Sequence, residues 1–433
     1  MTTVPLDAPL EIGGLRVPNR LYRAPLLECV GDGPDAGERL ADELEPAAAS
    51  GAGLIFQGAT IVRGEGGCVA PNMTRIDTAE KADRLRAVTD AVHDHGGRIA
   101  IQLDHGGLRC LETWHRGYRA AHPELRQLAV SRPPGVLRAL DCVGALEYDP
   151  HVLSTGDVYD LAADFGRAAR RATDVGYDGV HLAGANAGLV QQFLSPYYNR
   201  RSDEFADGAR FLELVHDEVR ERAGDVPLMT KVPTESRRPP FVRRGLSPTD
   251  AVEIAVRLAD YGYDALVPVE GSTFWDMSLV RGEYPRRTWE ASQFQPGYEA
   301  AFGGRRRAAL VRALTRVSAA ANGFEPRWNA DLCRAVRERV DVPVLCEGGI
   351  RTREGIDRLL GTACDAVGLA RPFYAEPRLP ARLLADASAA VACENCNNCV
   401  VPQATGAPGM CRTPSVVRRR GEYERRGAYE RDR

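Results

Sequence analysis

Short apolar, β-rich runs alternate with amphipathic helical stretches along nearly the whole chain, which restricts the possible folds more than any other feature. The strand runs are Leu21–Ala24, Leu54–Gln57, Arg98–Gln102, Gly179–Leu182, Pro227–Val232, Ala265–Val269, Val342–Cys346 and Ala366–Leu369. Most are continuously apolar, the pattern of strands covered on both faces. Helical periodicity follows them. Glu80–His95 sets Ala82, Leu85, Val88, Thr89 and Val92 on one face, and Ala209–Ala223 does so for Phe211, Leu214, Val215 and Val219. Ser247-Pro248-Thr249-Asp250 combines a capping serine, a proline in the first turn and an acid three residues after the cap, a helix start. Eight such repeats predict an α/β fold, a TIM (β/α)8 barrel, with a doubly wound open sheet as runner-up.

Two connections exceed what a barrel needs: residues 103–178, and residues 270–341 with Phe274, Trp275, Tyr284, Trp289, Phe294, Tyr298, Phe302, Phe324 and Trp328. Such long βα loops build either a lid over a site at the C-terminal strand ends or an accessory packing layer. The expected organisation is a barrel over 1–390, a cysteine-rich segment over 391–415 and a charged tail, solvated or partner-ordered, over 416–433.

Composition narrows the partners. With 56 basic against 59 acidic residues the net charge is −3, which gives no field for nucleic acid. No apolar run approaches the roughly 18 residues of a membrane span, and the first residues lack a secretory signal, so the expectation is a cytoplasmic chain acting on a small molecule. Only Lys81 and Lys231 are lysines; every other basic residue is arginine.

Four of the eleven cysteines fall in one pattern, Cys393, Cys396, Cys399 and Cys411, spaced C-x2-C-x2-C-x11-C. In a reduced compartment four soft thiolates at this spacing suit a [4Fe–4S] cluster or a tetrahedral zinc. Further upstream, Glu347-Gly348-Gly349-Ile350 and Ala370-Arg371-Pro372-Phe373 follow the seventh and eighth strand runs. In a barrel these two loops hold phosphate, through backbone N–H groups freed by glycine and an arginine fork.

Here the residues resemble the old yellow enzyme family of FMN-dependent barrel oxidoreductases. The likeness is carried by Pro18-Asn19-Arg20-Leu21 with Ala24-Pro25-Leu26, by Gly51-Ala52-Gly53-Leu54-Ile55 with Gly58-Ala59, and by Ile101-Gln102-Leu103-Asp104-His105-Gly106-Gly107. It continues through Gly184-Ala185-Asn186, Gln192-Phe193-Leu194-Ser195-Pro196 and Asn199-Arg200-Arg201-Ser202-Asp203. It implies FMN flanked by Pro25, Leu26, Leu27 and Gly58, with Gln102 on its polar edge and its phosphate on Gly348, Gly349, Ala370 and Arg371. The family's arginine beside the flavin falls on Lys231, a point charge in place of a planar fork. The cysteine segment resembles that of trimethylamine dehydrogenase and 2,4-dienoyl-CoA reductase, where it binds [4Fe–4S].

The departures from the family bear on chemistry. Of its two carbonyl-binding donors only Asn186 remains, since the first position is Ala183, and its proton-donating tyrosine falls on Gly188. Tyr197, Tyr198, Asp104 with His105, and His181 are the groups that can replace them. Asn186, Tyr197 and His181 are therefore the candidate catalytic set. Arg237, Arg238, Arg243 and Arg244 after the fifth strand either meet an anion or form a solvated loop.

The expected activity is hydride transfer between flavin and an enone-type carbon–carbon bond of a specialised small substrate. NAD(P)H is expected to bind transiently, since no Gly-x-Gly-x-x-Gly follows a strand. Two alternatives stand: an amine or C–C dehydrogenase passing electrons through a [4Fe–4S] cluster to a carrier, and a flavin-binding scaffold without catalytic donors. A homo-oligomer is expected by analogy.

Overall fold

In the computed structural model, which describes residues 4–64 and 66–430, all eight strand runs form strands. They are β1 (Leu21–Arg23), β2 (Leu54–Ile61), β3 (Ile99–Asp104), β4 (Gly179–Leu182), β5 (Leu228–Thr234), β6 (Ala265–Glu270), β7 (Leu345–Cys346) and β8 (Ala366–Leu369). All pair in parallel, in the order β6-β5-β4-β3-β2-β1-β8-β7. A parallel bridge between Leu266 and Val344 joins the two ends, with Leu266 N–H donating to the Pro343 carbonyl at 3.0 Å. The ring excludes the open sheet.

Helices cover the outside. α1 (Ala36–Ala49), α2 (Arg86–His93), α3 (Thr155–Asp174), α4 (Ala209–Ala223) and α5 (Pro248–Tyr261) carry the larger apolar faces. The start read at Ser247 is a capping box: Asp250 N–H donates to Ser247 Oγ, and Asp250 accepts from Ser247 N–H. The run expected as one helix over Glu80–His95 breaks at Leu85 into Ala79–Arg84 and α2, and keeps Leu85, Val88 and Val92 buried.

Inside the ring Tyr22, Leu54, Phe56, Ala100, Met229 and Val267 form a separate core. Tyr22 fits because Gly368 opposite it has no side chain; a Cβ there would lie 2.2 Å from the ring. An N-terminal hairpin, Leu10–Ile12 with Leu15–Val17, adds Ile12 and Val17 to this core and plugs the N-terminal strand ends. The C-terminal ends are left as the mouth.

The aromatic excursion divides between both expected roles. Phe274 and Trp275 join Leu108, Tyr197 and Tyr198 beside Ala187 at the mouth, whereas Trp289, Tyr298 and Phe302 pack together as an outer layer. The tail departs from expectation. Residues Pro414–Arg425 form a helix docked on the barrel through buried Val416, with Arg382 3.7 Å from the Tyr423 ring centroid and Tyr429 OH donating to Glu376 Oε1 at 2.9 Å. One buried apolar side chain, one cation–π contact and one hydrogen bond to the fully buried Glu376 hold this otherwise charged stretch. Residues 431–433 of the expected tail lie outside the described residues.

Candidate active site

Register in parallel strands decides which side chains meet inside the ring. Gln102 on β3 is the register partner of His181 on β4, and Gln102 Nε2 donates to His181 Nδ1 at 3.1 Å. His181 is fully buried, its ring 4.9 Å from that of Phe56. Burial, and then the nearby charge of Lys231, hold its pKa well below the usual imidazole range. The neutral tautomer that accepts at Nδ1 carries its proton on Nε2, and that atom has no protein partner. The structure puts this candidate proton donor in the barrel interior, beside Gln102 and near Lys231. Lys231 on β5 reaches Glu347 Oε2 at 2.7 Å, and Tyr22 OH donates to Glu347 Oε1 at 3.3 Å.

The loop after β1 lies against a bulge in β2, where register shifts between Gln57 and Thr60. Gly58 sits in that bulge so near the chain that a Cβ would stand 1.3 Å from the Leu26 carbonyl oxygen. Its N–H donates to the buried Glu28 carboxylate, which Arg23 Nη1 also reaches at 2.9 Å. Pro25, Leu26 and Leu27 are thereby fixed, half-buried, on one side of the mouth.

After β7 the chain turns through Gly348 (φ 101°) and Gly349 (φ 67°), both tight on Trp328. Arg371, after Ala370, does not point freely at this turn: it donates to Asn397 Oδ1 and to the Arg281 carbonyl at 3.0 Å. A second arginine, Arg351, lies close enough for Arg371 to push its pKa down, after burial as the first cause. Its buried Nη1 has no partner. Two left-handed glycines, two adjacent guanidinium groups and an unpaired donor are what a phosphate dianion needs. Arg351 was missed in the sequence because it follows the glycine pair in a chain full of arginines.

Across the mouth, Asn186 and Ala187 follow β4 with φ 66° and 54°. With its amide oxygen turned to the guanidinium, Asn186 accepts from Arg109 Nη1 at 2.5 Å and Nη2 at 3.0 Å. Asp104, at the end of β3, lies beside Gly188, where a Cβ would be 3.3 Å from Asp104 Oδ1. Burial raises the Asp104 carboxyl to about 6, with Arg109 and the His105 N–H pulling the other way. Burial likewise lowers Arg109 to about 10 against the opposing pull of Asp104, and lowers His105 to about 3. Tyr197 packs edge-on to Tyr198 at 5.0 Å; its buried hydroxyl has no partner, and burial pushes it up to about 12.

Residues 5–281 match the NADH:flavin oxidoreductase / NADH oxidase family. The chain belongs to that family. It is an FMN-dependent oxidoreductase of the old yellow enzyme type. It is similar to a 4,4'-dithiodibutanoate disulfide reductase of Rhodococcus erythropolis, 28% identical over 429 residues, covering 96% of this chain and 98% of that one. It also resembles an NADPH dehydrogenase of Geobacillus sp. (strain WCH70), 29% identical over 267 residues, 60% of this chain and 71% of the relative. The solved histamine dehydrogenase from Rhizobium sp. 4-9 shares the fold at TM-score 0.71 and 22% identity, over 95% of this chain and 52% of that chain.

Against this NADH:flavin oxidoreductase frame, Asn186 and Tyr197 share the mouth, while His181 and Gln102 line the interior with Lys231. Arg237 does not serve as a free cation, since it pairs with Glu325 at 2.5 Å; Arg243 and Arg244 are exposed. The cysteine segment docks on the same loops: Gln403 Nε2 donates to the Leu27 carbonyl, Gly409 N–H to that of Glu28 at 2.9 Å, and Asn397 meets Arg371. Burial pushes the Cys399 thiol up to about 12; Arg371 opposes this, and Cys393, Cys396 and Cys411 each add to it. The donor set suits a cluster. Among the described residues, however, no three such side chains stand in metal-holding geometry: Cys396 Sγ is turned to Thr413 Oγ1 at 2.9 Å and Cys393 Sγ to Asn395 Oδ1 at 3.9 Å.

Proposed function

We propose that this oxidoreductase transfers a hydride between FMN and the activated carbon–carbon double bond of a small substrate at the barrel mouth, with NAD(P)H as transient reductant. The observation that carries the reading is the Asn186–Arg109–Asp104 arrangement, which would orient the one remaining family donor, Asn186, and offer an acid beside Gly188, where the family has its tyrosine. FMN, when bound, supplies the two-electron chemistry.

The chain's own residues bind and orient. Arg109 takes the Asn186 oxygen, so Asn186 Nδ2 is left to donate to a substrate carbonyl oxygen, an interaction worth about 2–4 kcal/mol in such sites. Asp104, with its carboxyl near 6, is partly protonated at neutral pH and can deliver a proton at its carboxyl oxygen beside Gly188. Tyr197 lines the pocket. Gly348, Gly349, Ala370, Arg351 and Arg371 would hold the phosphate. Pro25, Leu26, Leu27 and Gly58 would flank the ring, with Gln102 and His181 Nε2–H as donors to its polar edge and Lys231 as the nearby cation.

The test is a half-reaction assay over conjugated enones and unsaturated acids. Asn186→Ala and Asp104→Asn are expected to slow substrate reduction by about 10²-fold while leaving reduction of the flavin by NADPH unchanged. Unchanged substrate reduction in both variants overturns the reading.

A second reading is favoured by the docking of the cysteine segment on Leu27, Glu28 and Arg371. Cys393, Cys396, Cys399 and Cys411 would hold a [4Fe–4S] cluster, and the chain would act as an amine or C–C dehydrogenase serving an electron carrier. Iron and acid-labile sulfide in anaerobically purified protein support it; zinc alone, or no metal, contradicts it.

A further inference from the structure

Arg109 is a half-buried cation at the mouth, and its hydrogen bonds go to a neutral amide. Among the described residues no carboxylate oxygen lies within 4.0 Å of it; Asp104 acts on it only at longer range. A guanidinium withdrawn from water without a direct counter-ion is costly, and an incoming anion relieves that cost. The surroundings are built for an organic anion. Tyr148 and Tyr197 keep buried hydroxyls without partners, Tyr198 lies within electrostatic range of Arg109, and Phe274 and Trp275 complete the wall. On the Asn186 side, position 183 is alanine and position 188 glycine, so the wall there is low.

We infer that Arg109 seats a carboxylate of the substrate, so that the compounds reduced here are unsaturated carboxylic acids or carry a carboxylate close to the reacting double bond. Asn186 takes one N–H from each Nη; the three N–H groups left over bond no acid among the described residues and suit carboxylate oxygens. This rests on the reading of the mouth as the reducing site, and it concerns recognition rather than the chemical step.

The experiment titrates the flavin-loaded protein with benzoate and with benzamide, following the flavin spectrum and the heat of binding. Wild type is expected to prefer benzoate by about tenfold or more, Arg109→Leu to abolish the preference, and Arg109→Lys to keep part of it. Equal affinity for the two compounds in wild type, or no binding of either, overturns the inference, as does benzoate binding unchanged in Arg109→Leu. Should Arg109→Leu not fold, the wild-type ratio decides alone. Bleaching of the flavin by NADPH is measured in parallel. Its failure contradicts the hydride-transfer reading and leaves the carboxylate seat to stand or fall on the titration.

Discussion

Lys231 Nζ and Glu347 Oε2 lie 2.7 Å apart across the barrel, joining β5 to the turn that begins at Gly348. Lys231, the cation proposed to lie near the flavin, is thus already neutralised within the protein. The charge reaching a bound flavin is set by two residues rather than one. Glu347→Gln should raise the potential of the bound flavin, because the unopposed ammonium favours the anionic reduced form, and Lys231→Met should lower it. Either change also breaks a largely buried pair, at a cost of about 3 kcal/mol. Potentiometric titration and thermal melts of the two variants check both signs.

Asp104 makes stability depend on pH in a stated direction. Its folded pKa is raised to about 6, above its unfolded value, so the folded state holds the proton more tightly. Its contribution is fully favourable below the unfolded value near 4 and is lost as pH rises through 6. Asp104→Asn should therefore gain in Tm relative to wild type between pH 5 and pH 8. A difference that stays flat over that range contradicts the burial argument.

Gly58→Ala should remove flavin binding as well as stability. The added Cβ would stand 1.3 Å from the Leu26 carbonyl, so the loop holding Pro25, Leu26 and Leu27 must move. The flavin-to-protein ratio after purification is the readout, expected to fall well below that of wild type.

The docked tail gives a prediction on stability alone. Tyr429→Phe removes the hydrogen bond to Glu376, a fully buried carboxylate that also accepts from Arg382 and the Ala392 N–H. The expected loss is about 1–2 kcal/mol, read from chemical denaturation, with flavin content unchanged.

What could be read from the chain followed from burial. All eight strands were visible because residues such as Ile99, Ile101 and Val180 face helices while Ala100 and Phe56 face the interior, leaving no polar alternation to confuse the pattern. Gln102 and Lys231 stood out as polar residues inside apolar strands, and Asn186 just after one, within the family pattern. Arg109 did not, since an arginine among so many carries no signal, and its meaning comes only from the fold bringing it to Asn186. Glu347 was hidden for the same reason: its partner lies 116 residues away in sequence. The tail helix escaped because Val416, Tyr423 and Tyr429 have no helical apolar stripe around them.

The most direct measurement is the visible spectrum of anaerobically purified protein as NADPH is added. The account predicts flavin bands that bleach promptly and return when an unsaturated acid is supplied. Flavin that NADPH leaves oxidised would contradict it and favour the scaffold or the carrier-coupled dehydrogenase.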